Sequence, residues 1–253
     1  MVNPVPSRSE GIVLRHVNYG EADRIVTIYS ADCGLRKGFA KSARNSRKRF
    51  GAALDPFTRA VFSWSRGRGD LWMLRDAEMM TSHQGLRTDL ERLSLAGYGA
   101  ELIDMLAGDS EDHQRIYDVI AGFLDYLDRG GNVAVARTLL ELRLVYLLGY
   151  IPHLLHCSDC LKIFQDEEIR FDALRGGSLC LACAGMSTER VALGSVGSLA
   201  RCLRVSHRQF DGFRFGQATI DDSRIILGQV LRQLLPREPK SLRLLEHSGS
   251  RDN

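Results

Sequence analysis

Four cysteines place the strongest constraint on how this 253-residue chain can fold. They form two pairs, Cys157-Ser-Asp-Cys160 and Cys180-Leu-Ala-Cys183, with 19 residues between the pairs. Two residues between thiols allow both sulfurs of a turn to point at one ion, and two such turns complete a tetrahedron of thiolates. The spacing predicts a zinc-ribbon-like insert over residues 157–183 that holds one structural Zn²⁺. Since all four positions are filled, no position is left for a catalytic water.

The residues around the cysteine pairs support a small, compact insert. Segments 162–164 and 169–171 are short and apolar enough to pair as a hairpin, and Gly176-Gly177 supplies a turn into the second pair. Two alternatives stay open. The cysteines could be unliganded or disulfide-linked, and His153 or His156, next to the first pair, could replace one thiolate.

The N-terminus and the apolar runs bear on the cellular compartment. The first ten residues, MVNPVPSRSE, lack the apolar segment of a secretory signal, and the longest apolar run, 144–151, is too short to span a bilayer. We therefore expect a cytoplasmic protein with no membrane partner. In such a compartment a thiol pattern indicates metal binding more readily than disulfides, and the remaining Cys33 and Cys202 are expected to be packing residues.

Charge is divided unevenly along the chain. Residues 1–82 contain 14 Lys and Arg against 8 Asp and Glu, whereas residues 83–253 contain 20 against 23. A basic N-terminal segment and a mildly acidic C-terminal segment favour a first domain that binds a polyanion and a second domain that binds a different kind of partner. We predict two domains, 1–82 and 83–253. No Gly, Ser or Pro-rich linker separates them.

The first of these domains reads as a small β-barrel. Five short runs rich in β-branched and aromatic residues, GIVLRHVNY, RIVTIYS, LRKGFAK, FTRAVFSW and LWMLRDAEMM, alternate with turn residues. Five strands with a longer connection between the third and fourth suit a five-stranded OB-fold barrel. An SH3-like barrel is the competing interpretation.

After residue 82 the apolar period becomes helical, which makes the whole chain an α+β protein. Thr88-Asp89-Leu90-Glu91 has the form of a capping box, and helices are predicted to follow it, to follow Gly108, and to cover 133–148. Further helices are expected over 191–205 and 222–235. The second domain is therefore predicted to be helical, with the cysteine insert inside it.

The strongest indication of a ligand is a run of positive charge between Gly34 and Leu54 that contains no acidic residue. Like charges repel one another, and a phosphate backbone would neutralise them while releasing counterions. A solvated basic face is the alternative, but the run covers the predicted third strand and the loop after it, where a barrel of this type presents its groove. The predicted DNA-binding residues are Arg36, Lys37, Lys41, Arg44, Arg47, Lys48 and Arg49.

Other residues of the predicted barrel can extend this surface. Arg59, Arg66 and Arg68 would enlarge the basic patch. Aromatic rings beside the basic residues suit sequence-tolerant binding of single strands, although at least half of these rings are expected in the core. The rings in question are Phe39, Phe50, Phe57, Trp64 and Trp72.

Catalytic motifs are missing from the sequence. It contains no GxxxxGK[ST] phosphate loop, no HExxH and no GxSxG, and Gly67-Arg-Gly69 lacks the third glycine of a dinucleotide fingerprint. The acidic run 166–168 reads as a solvated turn. We therefore predict no catalytic residues and no enzymatic activity.

Beyond these patterns, the chain resembles the RecO family of bacterial recombination mediators over nearly its whole length. The matching stretches are EGIVLRHVNYGEADRIVTIYS, GLRKGFAKSARNSRKRFGAALDPF, LLGYIP leading into CSDC, GGSLCLACA and PREPKSLRLL. The resemblance implies an N-terminal OB-fold, a helical domain and a zinc site at the four cysteines. Ser42 departs from the pattern, since members often have glycine after the lysine of that loop, and this puts individual contacts there in doubt.

The resemblance also implies a function in DNA repair and recombination. It implies binding to single- and double-stranded DNA, annealing of complementary strands, and action with RecR to load RecA on DNA coated by single-strand-binding protein, in the cytoplasm and at the nucleoid. The seven basic residues named above would contact DNA. The patch Arg201, Arg204, His207 and Arg208 could receive an acidic peptide.

Two other functions remain open from the sequence. An RNA-binding OB-fold protein with a structural zinc site would prefer RNA to DNA of equal sequence because it contacts the 2′-hydroxyl. A zinc-dependent hydrolase of nucleic acid would need an open coordination position, which four thiolates do not leave.

Overall fold

The structure, a computed structural model, describes residues 8–66, 71–108, 110–150, 153–165, 168–185 and 188–249. The chain forms two compact units, one of residues 1–130 with 239–253 and the other of residues 131–238. The last helix therefore belongs to the same unit as the N-terminus. The predicted domains 1–82 and 83–253 stay a prediction, although residue 82 directly follows the last strand of the barrel.

Five strands of the first unit close into a barrel. Their order around the barrel is β1-β2-β3-β5-β4, and β1 pairs with both β2 and β4. All neighbours are antiparallel except β3 and β5. This Greek-key order is that of an OB-fold, so the predicted fold is confirmed and the SH3-like alternative is wrong. The strands are β1 (Arg8–Tyr19), β2 (Asp23–Ser30), β3 (Gly34–Ala40), β4 (Arg59–Ser65) and β5 (Trp72–Thr81).

Alternation along the strands fills the barrel with apolar side chains. Val26, Ile28, Ala60, Phe62 and Leu74 are buried in a single core cluster, each on the inner face of its strand. Because strand side chains alternate between faces, the residues between them point outward. Burial of these apolar side chains contributes about 1.5–3 kcal/mol for each large one, which fixes the register of the sheet.

Glycine is required at the turn between β2 and β3. Gly34 has φ +64°, a left-handed conformation that other residues adopt at a cost. A Cβ atom placed there would also lie 2.6 Å from Nδ1 of His113. The start of the second helix therefore packs closely against this turn.

Among the described residues, three α-helices and a short 3-10 helix, Gln84–Thr88, accompany the barrel in the first unit. The α-helices are α1 (Leu90–Leu106), α2 (His113–Asp128) and α6 (Lys240–Gly249). The N-cap of α1 is Asp89, whose side chain accepts a hydrogen bond from Arg92 N at 3.1 Å, so the predicted capping box beginning at Thr88 is wrong by one residue. The sequence did not predict α6, which packs on α1.

A buried polar network links the barrel to α2. His83 is almost fully buried, with Nδ1 2.7 Å from Phe57 O and Nε2 2.9 Å from Asp125 Oδ1. Asp125 also pairs with Arg59 at 3.4 Å. Buried polar groups in such a network are costly if one partner is removed, so these contacts fix where α2 lies on the barrel.

The second unit combines helices with a small sheet. Its helices are α3 (Val133–Leu147), α4 (Leu193–Cys202) and α5 (Gln217–Leu234), and its sheet has the order β7-β6-β8, with β6 (Ile169–Asp172), β7 (Gly177–Cys180) and β8 (Glu189–Val191). The predicted hairpin between 162–164 and 169–171 is wrong. Strand β6 pairs with β7 and β8 instead, and Ile163 forms a bridge with His156.

Within the described ranges, no helix is both long enough and apolar enough to cross a membrane.

Candidate nucleic-acid interface and metal centre

The basic segment forms a well-packed loop between β3 and β4 that covers one end of the barrel. Ala43, Phe50, Ala53 and Leu54 of this loop belong to the barrel core. Phe50 is only 3% exposed. Because these apolar residues are interleaved with the basic ones, burying them turns the charged side chains outward. The loop is thus a fixed platform for its cations.

Two contacts tie the beginning of this loop to the β1–β2 turn. Ser42 N donates to Asp23 Oδ1 at 2.7 Å, and the Arg44 guanidinium donates to Glu21 O at 2.7 Å. Ser42 has φ +55°. This left-handed conformation is the one that glycine adopts without strain, so serine at this position places strain in the loop.

Arg49 ties the end of the loop back to its beginning. Its guanidinium donates to Lys41 O at 2.8 Å and to Ser46 Oγ at 3.0 Å, and it lies 5.0 Å from the centre of the Phe50 ring. Ala77 N donates to Arg49 O at 2.9 Å, which joins the loop to β5. Arg44 and Arg49 are therefore exposed residues that also support the loop.

Four of the predicted DNA-binding residues have no such supporting contact. Lys37, Lys41, Arg47 and Lys48 are exposed, and no described carboxylate pairs with them. Their positive charges are open to a ligand. The surface formed by Lys37, Lys41, Arg44, Arg47, Lys48 and Arg49 is called the basic loop surface below.

Arg36 does not lie on this surface. It stands opposite Ile28 in the sheet register, on the side opposite Lys37, and its charge acts on Tyr29 and His113. Burial, then Asp112, raises the pKa of Tyr29, which Arg36 partly counteracts. Burial, then Arg36, lowers the pKa of His113. Arg36 thus interacts mainly with residues at the junction with α2.

The residues expected to extend the surface have different environments. Arg59 is mostly buried and pairs with Asp125, so it belongs to the network under α2. Arg66 is exposed, and Arg68 lies outside the described residues. Of the aromatic residues, Phe50 and Trp64 are buried core residues, while Phe39, Phe57 and Trp72 are partly exposed. The aromatic residues named from the sequence did not include Tyr19, which is exposed beside Phe39.

In the second unit, the four predicted cysteine ligands come together. The Sγ atoms of Cys157, Cys160, Cys180 and Cys183 all lie within 4.8 Å of one another, and all four thiols are free of disulfide bonds. Such a cluster could hold a metal ion.

Local backbone geometry explains how each pair of cysteines converges. Leu161 N donates to Cys157 O at 2.9 Å and Leu161 has φ +61°, which closes the first turn. Cys183 N donates to Cys180 O at 3.0 Å in the second turn. Cys157 N and Lys162 O are 2.8 Å apart, so the first turn is also held across its base.

The protonation of the cluster fits a cation at its centre. Burial raises the pKa of Cys157, but backbone N–H groups of Cys160, Cys180 and Asp159 stabilise its thiolate and bring the pKa down to about 6. Hydrogen bonds with Cys180 and Cys160, together with the charge of Cys157, raise the pKa of Cys183 to about 12. Four thiolates so close together repel one another, and a bound cation would remove that repulsion.

Neither nearby histidine joins the cluster. Nδ1 of His153 lies 2.5 Å from Nε2 of His156, and the two rings meet edge-on at 65°. Both rings line a cleft of about 580 Å³ with Tyr150 and Leu234. The group of converging ligand atoms consists of the four thiols. The alternative that a histidine replaces a thiolate is therefore wrong, as is the disulfide alternative.

The other two cysteines are buried, as expected. Cys33 is 3.4 Å from Ser30 Oγ, and burial raises the pKa of Cys202. In the expected acidic-peptide patch, Arg201, Arg204 and Arg208 are exposed. Of the acidic run 166–168, only Glu168 is described, and it pairs with Arg170.

The fold and these two sites define an OB-fold protein with an exposed basic loop and a second, helical unit that carries a cluster of four thiols able to hold a metal ion. Comparison with known proteins makes the class specific. The family model for the Recombination protein O N-terminal domain matches residues 5–83, and the model for the Recombination protein O C-terminal domain matches residues 87–243. The chain belongs to the RecO family of DNA repair and recombination proteins.

Individual relatives agree with this assignment, and each bears the name DNA repair protein RecO. The protein from Syntrophotalea carbinolica is 46% identical over 94% of this chain and 93% of its own length. The protein from Anaeromyxobacter sp. strain K is 38% identical over 77% of each chain. The protein from Geobacter metallireducens is 32% identical over 95% of this chain and 97% of its own.

Proposed function

We propose that this protein is a non-enzymatic recombination mediator that binds single- and double-stranded DNA and anneals complementary single strands. The observation that carries the proposal is the basic loop surface, a fixed cluster of exposed cations that covers one end of an OB-fold barrel. Family membership supports a function in repair of breaks and gaps. The DNA-binding domain would comprise residues 1–82 and the helical domain residues 83–253, with the zinc insert at 157–183.

Annealing needs no active site under this proposal. Two DNA strands repel each other through their phosphates, and a protein that neutralises phosphates on each strand lowers that repulsion. Contacts to phosphates leave the base edges free to pair. Lys37, Lys41, Arg47 and Lys48 suit this role because no described carboxylate competes for them.

The partners follow from the family rather than from the geometry. We propose that the protein acts with RecR, on DNA coated by single-strand-binding protein, to help load RecA, and that it works in the cytoplasm at the nucleoid. The exposed arginines Arg201, Arg204 and Arg208 are suited to an acidic peptide of a protein partner.

We propose that the four-thiol cluster binds one Zn²⁺ in a structural role. The set of four thiolates is typical of structural zinc, which contributes to folding directly. With four protein ligands, Zn²⁺ offers no position to a water nucleophile, which disfavours a zinc-dependent hydrolase.

Salt dependence of DNA binding tests the basic loop surface. Log affinity for single strands falls by about 0.7 per phosphate contact per log unit of salt. The double variant Arg47→Gln/Lys48→Gln removes two exposed cations and should reduce this slope by about 1.4 if each makes one contact. The matched control, Arg214→Gln/Arg232→Gln, removes two exposed cations from the other unit and should leave the slope unchanged.

Three results would count against the proposal. Equal slopes for the first variant and the wild type would show that the loop does not contact phosphates. A clear preference for RNA over DNA of equal sequence would favour an RNA-binding protein. Failure to accelerate annealing of complementary oligonucleotides, with or without single-strand-binding protein, would leave a binder that is not a mediator.

A further inference from the structure

An apolar row crosses the outer face of the barrel. Val17 on β1 stands opposite Ile25 on β2, Ile25 opposite Phe39 on β3, and Phe39 opposite Met73 on β5. Residues paired in this way point to the same side of a sheet, and here that side is the one away from the core. These four side chains form the outer row.

The outer row is open to solvent. Val17 is 52% exposed, and Ile25, Phe39 and Met73 are each partly exposed. Tyr19, at the end of β1, is 57% exposed and lies edge-on to Phe39, with ring centres 5.8 Å apart at 78°. Together they present one continuous apolar and aromatic strip, a feature that marks a binding surface more often than isolated exposed residues do.

Positive charge lies on both sides of this strip. Lys37 and Lys41 lie two residues before and after Phe39, and the exposed Arg75 lies two residues after Met73. Side chains two residues apart on a regular strand share a face, which places Lys37 beside Phe39. Arg75 lies at a bulge of β5, and its guanidinium donates to Oγ of Ser65, the β4 partner of Met73, so it lies on the face of the outer row. Because β3 and β5 are parallel, Lys37 and Arg75 flank the row from opposite sides. Lys41 connects the row to the basic loop surface.

We propose that the outer row with Tyr19 is a stacking platform for unpaired nucleobases, while the flanking cations hold the phosphates beside them. This inference rests on the proposed DNA binding and adds that the protein contacts the faces of the bases as well as the phosphates. Neighbouring strands lie about 4.8 Å apart, so a row across four strands is about 14 Å long, enough for two or three bases. Bases within a duplex already stack on each other, so the platform selects single strands.

Charge decides between nucleic acid and an apolar protein surface as the occupant. An apolar partner surface would bury Lys37 and Arg75 beside the row without counter-charges, at a desolvation cost. A single strand brings phosphates to the cations and base faces to the apolar side chains. Stacking on base faces also leaves the Watson–Crick edges free, as annealing requires.

Removing bases from the ligand tests the platform without changing the number of phosphates. Affinities would be measured for oligo-dT and for an abasic strand of equal length at one salt concentration. The wild type should bind oligo-dT at least fivefold more tightly, equivalent to about 1 kcal/mol. Tyr19→Ala combined with Phe39→Leu should abolish this difference by weakening oligo-dT binding alone. Met79→Ala, half exposed at the far end of β5, serves as control.

The outcomes separate this inference from the proposed function. Equal binding of both strands by the wild type, or a base preference that survives in the double variant, overturns the platform while phosphate binding stands. Loss of binding to the abasic strand as well in a variant with unchanged thermal unfolding also contradicts it. If the wild type binds neither strand, DNA binding itself fails. A Tyr19→Trp variant adds a direct signal, since oligo-dT should quench its fluorescence more than duplex does.

Discussion

Replacing Ser42 by glycine should stabilise the barrel unit. Ser42 has φ +55°, and a left-handed conformation costs a residue with a Cβ about 1–2 kcal/mol. Glycine avoids that cost but loses about 0.5–1 kcal/mol through greater freedom of the unfolded chain. The hydrogen bond to Asp23 uses the backbone N and is retained. The net expected gain in free energy of unfolding is about 0.5–1 kcal/mol.

Tryptophan fluorescence during urea unfolding measures this gain. Trp64 and Trp72 are the two tryptophans of the chain and both lie in barrel strands, so the signal reports on the barrel. With a urea dependence of about 2 kcal/mol per molar, the midpoint should rise by roughly 0.3–0.5 M. Asn45→Gly, in the same loop but without positive φ, should lower it. Ser42→Ala keeps the strain and should not raise it.

The direction in which Ser42→Gly shifts the urea midpoint tests whether the backbone at Ser42 is strained. If Ser42→Gly lowers the midpoint as Asn45→Gly does, the left-handed backbone at Ser42 is not strained or the loop relaxes in another way. DNA affinity serves as a second check, because the variant keeps every cation of the basic loop surface and its salt slope should equal that of the wild type.

Three further outcomes are expected. A chelator that removes metal from the four-thiol cluster should loosen the second unit. Hydrogen exchange over 157–183 should then become faster while the barrel strands keep their protection, and unchanged exchange would argue against a structural metal. Glu101→Ala should release the start of α6, because the Glu101 carboxylate accepts hydrogen bonds from Ser241 N at 2.9 Å and from Ser241 Oγ at 2.7 Å. The free energy of unfolding should fall by about 1–2 kcal/mol, and Glu101→Gln should reduce it less. The lowered pKa of His113 means that the unfolded chain binds this proton more readily than the folded chain does, so the residue's contribution to stability is complete above about pH 6.5 and declines as pH falls below it. His113→Gln should therefore flatten the pH dependence of thermal unfolding below about pH 6.5, and an unchanged slope would refute this.

Local patterns were sufficient to predict most of the elements. The alternation of β-branched and aromatic residues located all five barrel strands, because period-two burial is a property of each strand alone. The two Cys-x-x-Cys pairs predicted their own convergence, since two residues are enough to turn the backbone and aim both sulfurs at one point. Resemblance to RecO added the order of the domains and the function, which periodicity does not contain.

Contacts between segments far apart in the sequence could not be predicted from local patterns. The hairpin predicted between 162–164 and 169–171 is replaced by pairing of β6 with β7 and β8. Several short segments can form hydrogen bonds with the same strand, so local sequence does not select the partner. Helix α6 lies far along the chain from α1, and its return to the first unit depends on long-range packing. Asp89 rather than Thr88 caps α1, because Thr88 ends the preceding 3-10 helix and its hydroxyl donates to Gly85 O.

For the candidate interface, the positive charge of the loop and its lack of acidic residues follow from the order of amino acids alone. Which cations share a surface depends on the fold: the sheet register turns Arg36 away from Lys37 and directs Arg59 into the network with Asp125. Register also assembles Val17, Ile25, Phe39 and Met73, which come from four separate strands, into one row. Residues far apart in sequence become neighbours only when strand pairing is fixed, and pairing is set by the core of the whole barrel.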